Sequence, residues 1–216
     1  MTTPPFRFTL LADGASDRSL IPILGWTLAA IADLSRIGIV AQVADLREIA
    51  PPARSLSDRL RQALQYFPCD VLFIHRDAEG QPPDWRIEEV RRAASSSGIA
   101  SSYVPIVPVQ MTEAWLLIDE GAIRKAAGNP HGRVALGLPP LSRLEQVADP
   151  KGSLHEWLKV ASEKSGRRLD QFQRGIGERV QRVSALIEDF TPLRSLPAFA
   201  RFEATARDVI TGLLSR

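Results

Sequence analysis

Two spacings of apolar residues alternate along the first half of the chain. Short, mostly apolar runs occur at Phe6-Arg7-Phe8-Thr9-Leu10-Leu11-Ala12, Ile37-Gly38-Ile39-Val40-Ala41-Gln42-Val43, Val71-Leu72-Phe73-Ile74 and Tyr103 to Val109, each flanked by turn residues, as strands are. Between them the apolar positions fall three and four apart. Leu20, Ile21, Leu24, Trp26 and Leu28 predict a helix to about Ile31, with Pro22 near its tolerant first turn. Leu56, Leu60, Ala63, Leu64 and Phe67 predict a second over Ser57 to Phe67, and Pro82-Pro83 opens a charged third from Asp84 to about Ser97. Such alternation predicts a parallel sheet with right-handed crossovers, and Pro105 and Pro108 make the fourth strand an edge or an irregular one.

The second half reads differently. Thr112 is a candidate helix cap, and Trp115, Leu116 and Ile118 read as core. Gly121 to Leu141, rich in glycine, proline and arginine, predicts a long loop or insertion. Asp149-Pro150-Lys151-Gly152-Ser153 opens a helix carrying Leu154, Trp157 and Leu158, with Ser153 and Glu156 in capping-box spacing. Glu178 to Phe190 and Pro197 to Leu214 predict two more amphipathic helices. His131 and His155 read as exposed loop and helix residues. The expected fold is α/β: a Rossmann-like parallel sheet of about four strands with a helical C-terminal extension. Residues 1–120 form the α/β core, and 121–216 form a loop insertion and helical extension packed on it as one compact unit.

Composition narrows the class. With 44% hydrophobic and 24% charged residues over 216 positions, the chain is globular rather than disordered or collagen-like. The net charge is only +2, but a pI near 9.0 and clustered arginines leave room for a basic face toward phosphate. The single cysteine, Cys69, excludes an internal disulfide and suits a reducing cytosol. No apolar segment reaches bilayer length, and Met1-Thr2-Thr3-Pro4-Pro5 lacks the features of a signal peptide, so a cytoplasmic protein is expected.

The candidate chemistry lies where strands end. The buried run Val71 to Ile74 passes through His75 and Arg76 into Asp77-Ala78-Glu79-Gly80. Residues two apart on extended backbone point the same way, so Asp77 and Glu79 can face one hard cation together. Asp13 occupies the equivalent place after the first run. Asp17 either caps the following helix or joins the acids, and Glu113 either favours a helix dipole or does the same. No G-x-x-x-x-G-K-[ST] loop, no G-x-G-x-x-G after the first strand, no H-E-x-x-H and no paired cysteines occur, which argues against NTPases and zinc enzymes. Three histidines in unrelated places give no Ser/His/Asp signature.

In order, Asp13-Gly14-Ala15-Ser16-Asp17, His75-Arg76-Asp77-Ala78-Glu79, Glu113-Ala114-Trp115-Leu116-Leu117-Ile118-Asp119, Asp149-Pro150-Lys151 and Pro197-Ala198-Phe199-Ala200-Arg201-Phe202 resemble the DUF4276 family of the TOPRIM-like group. The resemblance covers most of the chain. In the TOPRIM pattern a glutamate ends the first strand and a D-x-D ends the third; here Asp13 and Glu79 replace two of those acids and keep a carboxylate. The resemblance implies that Asp77 and Glu79 bind Mg²⁺ or Mn²⁺, with Asp13 as a further ligand or general base, while Asp17 and Glu113 complete the catalytic acids. Arg76 or Lys151 would meet the substrate phosphate. It further implies a metal-dependent nuclease acting on DNA or RNA, in phage defence or DNA repair, beside an AAA- or ABC-type ATPase partner. A catalytically degenerate binding module and a small-molecule phosphoryl hydrolase stay open beside it.

Overall fold

Residues 4–31, 37–47, 49–78, 81–99 and 102–215 are described by the computed structural model. β1 (Phe6–Leu11), β2 (Ile39–Val43), β3 (Val71–His75) and β4 (Ser102–Ile106) make one all-parallel sheet in the order β2-β1-β3-β4. The expected α/β class is what forms. β1 aligns Phe8 with Val71 and Leu10 with Phe73, and β3 aligns Phe73 with Val104. β3 is buried throughout, as a central strand covered on both faces must be, whereas β2 is half-exposed. β4 is the other edge, and Pro105 is tolerated there because one side of an edge strand needs no ladder partner.

Period-two alternation divides the strands between two cores. Phe8, Leu10, Val71, Phe73, Val104 and Ile106 face α1 (Leu20–Ala29) and the C-terminal helices. Leu11, Leu72 and Ile74 face α2 (Leu56–Tyr66) and α3 (Pro83–Ser97) through Leu60, Ala63, Val90, Ala93 and Ala94. Thr9 is a polar residue on a buried strand, and its Oγ1 donates to the Phe67 carbonyl at 3.0 Å. α2 is capped by Ser55, and α3 ends on Gly98 at φ 67°, a left-handed position that glycine adopts without strain.

α4 (Glu120–Ala126) precedes the C-terminal third, which contains α5 (Pro150–Ser162), α6 (Gly166–Arg174), α7 (Ile176–Leu186) and α8 (Pro197–Leu214). α8 spans the range read from its periodicity. It packs Phe199 and Phe202 against Trp115, at centroid distances of 5.2 and 6.0 Å, and Phe202 against Phe73 of β3 at 6.1 Å. This aromatic cluster carries the helical third onto the sheet.

Several elements depart from the sequence reading. The first helix is preceded by a 3₁₀ turn at Ala15–Ser19, so α1 begins at Leu20. Part of the expected loop is α4, a helix too short to show an apolar stripe and capped by Asp119, which accepts the Ala122 N–H at 2.9 Å. Asp149, not Ser153, caps α5 by accepting the Gly152 N–H at 2.8 Å. A Cβ at residue 152 would lie 2.1 Å from an Asp149 carboxylate oxygen, so this cap requires glycine. α6 buries only Phe172, which leaves little periodicity to read, and the following helix covers Ile176–Leu186 rather than Glu178 to Phe190. His131 is exposed as expected, whereas His155 is half-buried. Among the described residues no helix is long and apolar enough to cross a membrane.

Because one aromatic cluster joins α8 to β3, Phe199→Ala should destabilise the protein by about 3–5 kcal/mol in a single urea transition. A two-step transition with an unshifted second step would instead mean that the helical third unfolds on its own.

Candidate functional site

Parallel strands deliver their carboxyl ends to one edge of the sheet. The chain runs from β1 outward to β2 and then returns to β3 on the other side of β1, so the connections diverge between β1 and β3. Ligands of open α/β sheets bind in the crevice at such a point. Asp13 and Asp17 follow β1, and His75 and Asp77 close β3.

At the centre is His75, only 1% exposed. Its Nδ1 lies 3.3 Å from Asp17 Oδ2 and its Nε2 lies 3.2 Å from Asp77 Oδ1. Both are charge contacts that miss hydrogen-bond alignment, since His75 Nδ1 and Asp77 Oδ1 are buried without a hydrogen-bond partner. The aligned bond runs from Nε2 to Thr112 Oγ1, at 2.9 Å. Thr112 opens a 3₁₀ turn at Thr112–Leu116 with Met111 in the cap position, so its hydroxyl serves the histidine rather than a helix end. Burial by itself would lower the His75 pKa, but the two carboxylates more than reverse this and raise it to about 9. At neutral pH His75 is therefore an imidazolium, and Nε2–H is the donor to Thr112.

The acids around it differ in state. Burial raises the Asp17 pKa, but His75, the Gly14 N–H at 2.9 Å and the Ser16 hydroxyl outweigh it and hold the carboxyl below its ordinary range. Glu113 goes the other way. Burial pushes its pKa up, Asp77 and Asp17 add to the rise, and its own backbone N–H and the Lys151 ammonium only partly oppose it. Lys151 sits exposed in the first turn of α5, placed by the Asp149 cap. Asp17 and Asp77 therefore flank one imidazolium, and Glu113 lies close enough for their charges to raise its pKa.

Two expected site residues are placed elsewhere. Asp13 does not join Asp77; its carboxylate pairs with Arg59 of α2 and, at 2.9 Å, with Arg76. Arg76, expected to meet substrate phosphate, bridges Asp13 and Glu89, the latter at 3.3 Å. Glu89 also pairs with Arg86, whose Nε donates to the Asp77 carbonyl at 3.1 Å. The reason is local: after Ile74 the chain alternates, sending His75 into the crevice and Arg76 outward to the arginine–carboxylate chain. Glu79, expected beside Asp77 as a metal ligand, lies outside the described residues. Among the described residues no group of three or more His, Cys, Asp or Glu side chains is gathered to hold a metal ion.

The sequence reading missed His75 and Arg59. A histidine as the last residue of a wholly apolar strand, two before an acid, was the available signal for the first; nothing in local sequence connects Arg59 to Asp13. Comparison with protein-family models, curated proteins and solved structures found no match.

The pKa shifts set a pH window. His75 is raised from its ordinary 6.5 to about 9, so its contribution to stability is full below 6.5 and lost as pH rises through 9. Asp17 is lowered from 3.8, so its contribution is full above 3.8 and lost as pH falls below that. Urea unfolding should show stability falling by a few kcal/mol between pH 6.5 and 9.5, and His75→Gln should flatten that slope. An equally steep slope in the variant would mean that other groups carry it.

Proposed function

We propose that the chain is a TOPRIM-like, metal-dependent phosphodiester hydrolase acting on DNA or RNA. The observation that carries this reading is the pair Asp17 and Asp77 on either side of His75 at the divergence point of β1 and β3, with Glu113 within reach of their charge and of the Lys151 ammonium.

The donor chemistry fits a hard divalent cation. Asp77 Oδ1 is a buried carboxylate oxygen without a hydrogen-bond donor, and Mg²⁺ is commonly held by one or two carboxylates while it keeps several waters. Asp77 would hold Mg²⁺ or Mn²⁺, with Glu79 as the expected second ligand. When bound, the cation supplies Lewis-acid polarisation of the phosphodiester and a more acidic water. Glu113, its proton held more tightly by burial, is suited to general acid–base work. Lys151, close enough to oppose the rise in the Glu113 pKa, would bring positive charge to a substrate phosphate. Asp13 acts as a positioning residue through Arg59 and Arg76.

A second reading, a catalytically silent module that binds nucleic acid or an ATPase, has a specific observation in its favour. The His75 imidazolium already neutralises part of the acid cluster, and two arginines occupy Asp13, so the crevice is charge-balanced without a metal.

The two readings separate in one assay. Plasmid, single-stranded DNA and tRNA should be cleaved only with Mg²⁺ or Mn²⁺; Asp77→Ala should abolish cleavage and metal binding by calorimetry. Glu113→Gln should lower kcat by about 10²–10⁴ while leaving metal affinity within a few-fold. No cleavage of any polynucleotide, with no measurable metal binding, would favour the silent module.

A further inference from the structure

Beside the acid cluster, on the β2 side of β1, lies a second cleft of about 290 Å³. Its walls come from four places: Ala12, Asp13 and Gly14 after β1, Arg18 from the 3₁₀ turn, Val43 at the end of β2 through Arg47 with Pro52 and Ala53, and Arg59 from α2. Three guanidiniums therefore border one concavity. Against Asp13 and Asp45 they leave one positive charge in excess, and Arg76, which shares Asp13, adds a second.

We propose that this cleft binds a backbone phosphate of the polynucleotide close to the scissile bond; the inference rests on the hydrolase reading above. Guanidinium groups present planar forked donors that match phosphate oxygens. Two of the three are pre-set. Arg59 is held by Asp13 and by the Ala12 carbonyl, to which its Nη2 donates at 2.6 Å, and Arg47 is held by Asp45, with Nε donating at 2.8 Å. Arg47 nonetheless keeps a side chain that is 75% exposed, and Arg18 is exposed on the facing wall. Val43, Ala44, Leu46, Pro52 and Ala53 form an apolar floor able to pack a sugar.

The position gives the cleft its role. Gly14, on its wall, donates its N–H to Asp17 of the acid cluster. The cleft and the cluster lie over neighbouring strand ends, and strands stand about 4.8 Å apart. A strand that crosses the cleft therefore runs beside the acid cluster.

The test is equilibrium binding of fluorescein-labelled 20-nucleotide single-stranded DNA and RNA, in EDTA so that nothing is cleaved, over a range of NaCl concentrations. Arg18→Ala with Arg47→Ala should weaken binding and make the slope of log K against log salt shallower by about 0.7 to 1.4, the loss of one or two phosphate contacts. Arg167→Ala with Arg168→Ala, which removes the same charge from exposed positions on α6, should leave the slope at the wild-type value. Matching thermal unfolding of both variants establishes that they are folded. An unchanged slope in the cleft variant, an equal change in the α6 variant, or no binding by the unaltered protein would each overturn the proposal. Binding that depends on the cleft, in a protein that cleaves nothing, would remove the hydrolase reading alone; metal-dependent cleavage with an unchanged slope would remove the cleft alone.

Discussion

A buried imidazolium between two carboxylates is the constraint on which the crevice depends. Placing a charge in the interior costs several kcal/mol unless opposite charges stand close by, and His75 has Asp17 on one nitrogen and Asp77 on the other. The contacts are reciprocal: Asp17 is held ionised by the same histidine. As a result the turn after β1, the end of β3 and, through Thr112, the turn before α4 are fixed to one point. Glu113 sits next to Thr112, so the same anchor sets its distance from the other acids.

Outside this inner group runs a chain of ion pairs: Arg59 to Asp13, Asp13 to Arg76, Arg76 to Glu89, and Glu89 to Arg86. It links α2 and α3, which cover the far face of the sheet, to the strand ends that bear the acids. Such pairs contribute little stability where water reaches them, but they orient side chains at fixed angles. Arg86 donates to the Asp77 carbonyl, so the chain supports the inner acids from behind. Arg201 extends the same logic to α8 by pairing with Asp84 of α3. The outer chain also explains why Asp13, though placed like a ligand, serves to hold arginines.

The α/β class was legible because it rests on periodicity, and burial on each face of a sheet enforces a period of two. The all-apolar Val71 to Ile74 had to be central, and Pro105 had to lie at an edge. Acids at the carboxyl ends of β1 and β3 were visible for the same reason, since a strand that turns polar at its end leaves the core there. Short or sparsely apolar helices were not legible: α4 has seven residues and α6 buries one, so neither has a repeat to read. Caps were misassigned where two candidates stood close together, as with Asp149 and Ser153.

By itself the sequence determined the layers, the parallel order of alternating strands and helices, and which acids stand at strand ends, because each follows from local spacing and burial. Only the tertiary structure decided which of those acids meet. Strand order brings β1 beside β3 and so sets Asp17 and Asp77 on either side of His75, residues 58 positions apart in the one case and two in the other. Arg59 and Asp13 are joined across 46 positions. Long-range charge pairing of this kind leaves no periodic trace, because a guanidinium takes whichever carboxylate the fold brings within reach.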